Sequence, residues 1–203
     1  LIKQMACLGY QKLGTTPHVM SDYYRNTPEI ILSKLAEVRE AVAAEGLSIQ
    51  IEAAAEYYLD EFIMDSLRNN DRLLTFGNNY LLFETSFMNA CSYLDDAVFM
   101  MQSSGYQPVL AHPERYVYLF DKFDELVRLR EKGVHLQVNL NSLNGYYSKN
   151  SKKIAERLIE EKMISFLGTD CHGERHLERL EEVMDSYFFS KAFEGDIINN
   201  TLL

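Results

Sequence analysis

Three histidines and three carboxylates, His18, Glu56, Glu84, His112, Asp170 and His172, are the residues of this sequence best suited to chemistry. Glu56, Glu84 and His112 follow one another at intervals of 28 residues, about one strand–helix–strand step, and Asp170-x-His172 continues the pattern two steps later. Imidazole and carboxylate are intermediate to hard donors, so the set suits zinc, manganese or iron with no thiolate needed. Carboxylates gathered in one place repel and take up protons unless cations sit among them, so two or more ions would resolve the arrangement. Each residue also has a plainer reading. Glu84 closes an apolar run, where an unpaired charge is costly and an ion pair competes with a metal as its partner. Glu52 competes with Glu56, Asp170 could accept helix amides, and His112 precedes a proline in a loop. Cys171 reads as a small buried filler.

These groups need a frame. Lys12–Thr16, Ile49–Ala54, Tyr80–Glu84, Val109–Ala111, Val134–Leu140 and Met163–Gly168 read as strands, and Tyr80–Glu84 is apolar on successive positions, as in a buried parallel sheet. Helices are predicted from Pro28, capped by Thr27 and stopped at Gly46, over Leu59–Leu67, Ala90–Ser104, Phe123–Lys132 and Lys152–Lys162, and twice more after His172. The opening residues read as the last turns of a helix that ends at Gly9. Alternating strands and helices imply a parallel α/β fold. Each candidate ligand follows or ends a strand, and such groups converge only if the sheet curls into a barrel, so a (β/α) barrel forming one domain over residues 1–203 is expected. Along Val134–Leu140, Asn139 is placed to approach the site and His135 to face solvent.

The chain has 203 residues, 47% hydrophobic and 25% charged, which excludes disorder and fibrous repeats. Thirty acidic against twenty basic residues leave a net charge of −10, which disfavours nucleic acid and anionic membrane surfaces as partners. A phosphorylated substrate therefore needs local cations. Cys7, Cys91 and Cys171 form no CxxC pair, and no apolar run approaches a membrane span, so a cytoplasmic protein without membrane insertion is expected.

Thr16-Pro-His18, Glu84, Pro108-Val-Leu-Ala-His-Pro-Glu-Arg-Tyr116 and Gly168-Thr-Asp-Cys-His172 resemble the polymerase and histidinol phosphatase (PHP) superfamily. More closely, they resemble its bacterial manganese-dependent protein tyrosine phosphatases of capsular and exopolysaccharide operons. The resemblance implies a distorted seven-stranded (β/α) barrel and a site of two to three Mn2+ ions, with iron or zinc as alternatives. It implies that His18, Glu56, Glu84, His112, Asp170 and His172 are metal ligands, Glu56 bridging. Arg115 would grip the phosphate, Tyr116 and Arg175 would contact substrate, and His18 could supply a proton to the leaving group. The family's first strand, with a His-x-His ligand pair, has no counterpart in this sequence and is expected to lie upstream of Leu1. Val19 and Leu177 stand where related enzymes carry a histidine and an arginine, and Arg175 or Arg179 are the candidates to replace that arginine.

The implied reaction is metal-assisted hydrolysis of phosphotyrosine, on a tyrosine autokinase that controls polysaccharide synthesis. A cysteine-based route needs an arginine five residues after the nucleophile, and none of the three cysteines has one. The alternatives are a small-molecule phosphomonoesterase of the histidinol phosphatase kind, or a non-catalytic binding barrel if the first strand is absent. Tyr23, Tyr24, Tyr116, Tyr146 and Tyr147 fall in expected rim loops, where they could stack on a substrate or cover the edge of the core.

Overall fold

Proline and glycine mark several of the points at which the elements of this chain break. The computed structural model describes residues 1–199, so residues 200–203 of the expected domain lie outside it. The chain contributes by turns to two compact units, one of Ile2–Thr85 with Cys91–Pro108, the other of Leu1, Ser86–Ala90 and the chain from Val109 on.

In the first unit, helix α1 (Ile2–Cys7) stops at Gly9, whose φ of 93° suits a residue without Cβ. Where one strand is expected there are two, β1 (Lys12–Thr15) and β2 (His18–Val19), because Pro17 has no N–H to give to a ladder. Helix α2 (Pro28–Ala44) begins as predicted: Pro28 occupies its first turn and Thr27 Oγ1 accepts the Ile30 N–H at 3.4 Å. Leu35, Val38 and Val42 on its apolar stripe pack with Leu13, Ile49 and Ile51. The expected strand Ile49–Ala54 is likewise two, β3 (Gln50–Ala53) and β4 (Glu56–Tyr58).

β1 pairs parallel with β3, and β2 with β4 in the register His18 to Glu56. Hydrogen bonding carries across both breaks, since Ala54 N–H donates to Thr15 O at 2.9 Å and Glu56 N–H to Pro17 O at 3.0 Å; the proline is asked only for its carbonyl. Helix α3 (Glu61–Asn69) is capped by Asp60, and β5 (Tyr80–Glu84), buried at every residue, pairs parallel with β4. Helix α4 (Leu94–Ser103) starts later than the predicted Ala90, and the amides of Met88 and Asn89 instead donate to Ser86 Oγ, each at 3.3 Å.

Strand β6 (Gln107–Ala111) ends the first unit's sequence and begins the second's. There β7 (His135–Asn139) and β8 (Phe166–Gly168) continue a parallel ladder, Ala111 beside Gln137 and Asn139 beside Gly168. Helix α5 (Phe123–Glu131) connects β6 to β7, and α6 (Lys149–Glu160), capped by Ser148 Oγ on the Ser151 N–H at 2.9 Å, connects β7 to β8. Helices α7 (Glu174–Met184) and α8 (Tyr187–Ala192) follow. Every ladder named here is parallel, so the α/β reading holds, with helical crossovers as such strands require. Among the described residues no helix is long and apolar enough to cross a membrane.

Candidate metal and phosphate-binding groups

Strand register brings the first group together. Side chains alternate across a strand, and Glu56 pairs with Leu82 while Tyr58 pairs with Glu84. Glu56 and Glu84 therefore lie two positions apart on one face of β4 and β5, and His18 stands beside Glu56 on the same face. Val19, Tyr57 and Phe83 take the opposite face and are buried. The imidazole Nδ1 of His18 lies 3.2 Å from Glu84 Oε1 and 4.0 Å from Glu56 Oε2. Glu56 and Glu84 are 5% and 7% exposed, too buried for their charges to be carried by water.

One ligand atom from each of His18, Glu56 and Glu84 falls within 4.8 Å of the others, so the three could hold a metal ion. The donor set fits: two buried carboxylates that repel one another and an imidazole, with no thiolate, match a borderline-to-hard divalent cation. Asn26 Nδ2 donates to His18 O at 2.8 Å and the Tyr24 ring lies 5.3 Å from the imidazole, which fixes the residue from two sides. Glu52, the rival of Glu56, points away and pairs with Lys12 at 3.1 Å on the surface.

In the second unit His112, Arg115, Asp170 and His172 all follow strand ends. His112 has φ 35° and Asp170 φ 47°, both in the left-handed region that histidine and aspartate enter more readily than most residues. The His112 ring is buried, stacked on Phe87 at 5.4 Å and edge-on to Tyr116 at 5.8 Å. Arg115 Nη1 donates to Asp170 Oδ2 at 2.8 Å, so its partner is this carboxylate and not Glu114. The same Oδ2 accepts from Asn139 Nδ2 at 2.8 Å and from the Tyr147 hydroxyl at 3.3 Å. Asp170 Oδ1 lies 3.3 Å from Nδ1 of His172, which also meets Asp170 O at 2.9 Å. The Arg115 guanidinium lies over two rings, 4.7 Å from the Phe87 centroid and 4.2 Å from that of Tyr147.

Three side chains have parts that the sequence reading did not assign. Glu114, within the His-Pro-Glu-Arg-Tyr run, is fully buried; its Oε1 accepts from Asn139 N–H at 3.0 Å and from Ser142 Oγ at 2.6 Å, tying that run to the end of β7. Burial pushes the Glu114 carboxyl above its ordinary value, against the opposing pull of the Ser142 hydroxyl. Asn139 was placed near the site by strand alternation, but its bond to Asp170 is a long-range contact that no spacing announces. Burial, and next the Asp170 carboxylate, push the Tyr147 phenol well above its ordinary value, so it remains a hydrogen-bond donor. Tyr116 is fully buried, with its ring against Phe87 and His112, so it seats the imidazole and has no surface to offer a substrate. Arg175 is exposed on the first turn of α7, and Arg179 is engaged on its own helix with Glu182 at 2.9 Å.

The chain is 26% identical over 187 residues to the tyrosine-protein phosphatase YwqE of Bacillus subtilis (strain 168), covering 90% of this chain and 74% of that one. It is 22% identical over 170 residues to the tyrosine-protein phosphatase CpsB of Streptococcus pneumoniae, covering 81% and 70%. A solved structure from work on YwqE of Bacillus subtilis and CpsB of Streptococcus pneumoniae, described there as unique metal-dependent tyrosine phosphatases, superposes with a TM-score of 0.80 at 24% identity, over 94% of this chain and 80% of that one. The family model for capsular polysaccharide synthesis proteins of the CpsB/CapC type matches residues 1–196, and the chain belongs to that family.

Proposed function

We propose that this chain is a metal-dependent protein tyrosine phosphatase that hydrolyses phosphotyrosine on a bacterial tyrosine autokinase of capsule or exopolysaccharide synthesis, in the cytoplasm. The observation that carries the reading is the group formed by buried Glu56 and Glu84 with half-buried His18, whose ligand atoms lie within 4.8 Å of one another, in a chain whose relatives are named tyrosine phosphatases. In this reading those three residues would be metal ligands, and His112, Asp170 and His172 would be further donors, for two to three manganese ions in all. Bound divalent cations supply Lewis-acid charge, which makes water a nucleophile near neutral pH and offsets the charge of the phosphoryl oxygens.

The protein's own groups do the rest. Arg115 presents a guanidinium whose N–H fork matches phosphoryl oxygens, and it supplies the local positive charge that a chain of net charge −10 requires. Arg175, exposed on the first turn of α7, is the candidate for the second substrate-binding arginine. A phenol has a pKa of about 10, so the leaving tyrosine needs less proton assistance than a serine alkoxide would, and a proton at a His18 ring nitrogen suffices. No cysteine takes part. Burial raises the Cys91 and Cys171 thiols above their ordinary values, which is opposite to what a thiolate nucleophile needs.

The test is hydrolysis of a phosphotyrosine peptide with added manganese, beside a chelated sample, Asp170→Asn, and the same peptide carrying phosphoserine. Turnover confined to phosphotyrosine and lost on chelation and in Asp170→Asn is the expected result. Turnover that survives chelation, or a metal-bound protein that hydrolyses only small phosphate esters, overturns the proposal.

A further inference from the structure

We propose that Tyr147 is the positioning residue of the phosphate grip: its ring, with that of Phe87, clamps Arg115, and its hydroxyl, with Asn139, pins one oxygen of Asp170. The inference rests on the phosphatase reading, because it assigns Arg115 to phosphate and Asp170 to a cation.

The ring argument is geometric. The Arg115 guanidinium carbon lies 4.7 Å from one ring centroid and 4.2 Å from another, so aromatic surface replaces part of the water around the guanidinium plane. Its remaining hydrogen-bonding capacity lies in that plane, where the N–H groups form a fork suited to two oxygens of one tetrahedral anion. Two aromatic faces also favour the cation directly, and more strongly where it is desolvated. Phe87 is held by the stacked His112 ring at 5.4 Å, and Tyr147 by the Tyr146 ring, edge-on at 5.1 Å. Tyr147 also immediately precedes Ser148, the N-cap of α6, and Tyr146 N–H donates to Asn141 O at 3.2 Å, so the loop that carries both tyrosines is tied at each end.

The hydroxyl argument concerns a single oxygen. Asp170 Oδ2 takes three protein donors, Arg115 at 2.8 Å, Asn139 at 2.8 Å and Tyr147 at 3.3 Å, whereas Oδ1 faces His172. Donors gathered on one oxygen orient the carboxylate and direct the other toward a ligand, as outer hydrogen bonds do for carboxylates on metals. Tyr147 therefore acts through both of its neighbours, with separable effects: the ring on Arg115 and phosphate, the hydroxyl on Asp170 and cation.

Three variants separate them. Tyr147→Phe keeps the ring and removes the hydroxyl, Phe87→Leu removes one ring, and Tyr147→Leu removes ring and hydroxyl together. The measurements are manganese affinity of the chelator-stripped protein by calorimetry, orthophosphate affinity of the manganese-loaded protein, and kcat and KM on a phosphotyrosine peptide. Tyr147→Phe should weaken manganese about tenfold with orthophosphate affinity unchanged at saturating metal. Phe87→Leu should weaken orthophosphate and raise KM about fivefold, read at saturating manganese because Phe87 also stacks on His112, and Tyr147→Leu should weaken both ions. A Tyr147→Phe protein that melts like the wild type and binds manganese and orthophosphate as tightly overturns the proposal, as does a Phe87→Leu protein with unchanged orthophosphate affinity. If the wild type binds both ions but hydrolyses no phosphotyrosine, the phosphatase reading fails, and the two binding constants still decide the clamp. A wild type that binds no orthophosphate overturns both.

Discussion

Replacing Glu84 by glutamine should stabilise the metal-free protein and weaken its response to metal, two effects of opposite sign from one substitution. Glu56 and Glu84 are 5% and 7% exposed, and their ligand oxygens lie within 4.8 Å of each other. Two unit charges at that separation repel by about 3.5 kcal/mol at an effective dielectric of about 20. His18 Nδ1 lies 3.2 Å from Glu84 Oε1, so wild type and variant are compared at one and the same pH. If half of the repulsion is relieved, the metal-free midpoint of Glu84→Gln rises by about 4–7 °C for a domain of this size. Manganese at about one hundred times its Kd should add about 2.7 kcal/mol to the wild type, roughly 5–10 °C, and far less to the variant. Thermal melting with and without metal reads all four midpoints. A Glu84→Gln protein that melts lower than the wild type without metal, and gains as much from manganese, would show that the two carboxylates are structural and not gathered around a cation.

Two other predictions concern the frame. Tyr57 Oη accepts the Leu74 N–H at 2.8 Å in a buried setting that pushes the phenol up to about 12. Tyr57→Phe leaves that N–H without its acceptor and should cost about 1–3 kcal/mol in chemical denaturation; a loss under 0.5 kcal/mol would mean that water takes the vacated place. Burial, then the charge of Arg130, lowers the His135 pKa below its ordinary value, so the unfolded chain binds the extra proton first as pH falls. The stability tied to the neutral ring is complete above about pH 6.5 and is lost progressively below it. His135→Gln should therefore narrow the difference in melting temperature between pH 7.5 and pH 5, and an unchanged difference would remove His135 from the acid response.

Part of this was legible because three candidate ligands, Glu56, Glu84 and His112, recur at the same point of a repeating strand–helix unit. Glu56 and Glu84 could be read from spacing, since period-two alternation and parallel register decide which side chains share a face, whereas His18 stood out through the Thr16-Pro-His18 run. The choice between Glu56 and Glu52 was not, because it depends on the break between β3 and β4, which moves Glu56 inward and leaves Glu52 beside Lys12. The division of two strands at Pro17 was within reach, given that proline lacks the N–H a ladder needs. Hidden were the parts of Glu114, Asn139 and Tyr147. They bond between segments 25 and 31 residues apart, or 23 for Tyr147 and Asp170, and neither periodicity nor turn chemistry gives the direction of a loop side chain. Tyr116 meets the same limit: a tyrosine after a turn reads as a rim residue, yet its ring is buried and edge-on to the imidazole.

The positive φ angles of His112 and Asp170 bear on how either residue can be replaced. A left-handed backbone costs an ordinary L-residue roughly 1 kcal/mol, so alanine at these positions removes the functional group and strains the chain together. Asparagine at position 170 keeps the backbone preference and most of the shape while discarding the charge, and glycine accepts the angle at the expense of chain entropy. The alphabet open to these two positions is thus narrowed twice, once by what the side chain must hold and once by the corner it must turn, and bulky β-branched residues fail on both counts.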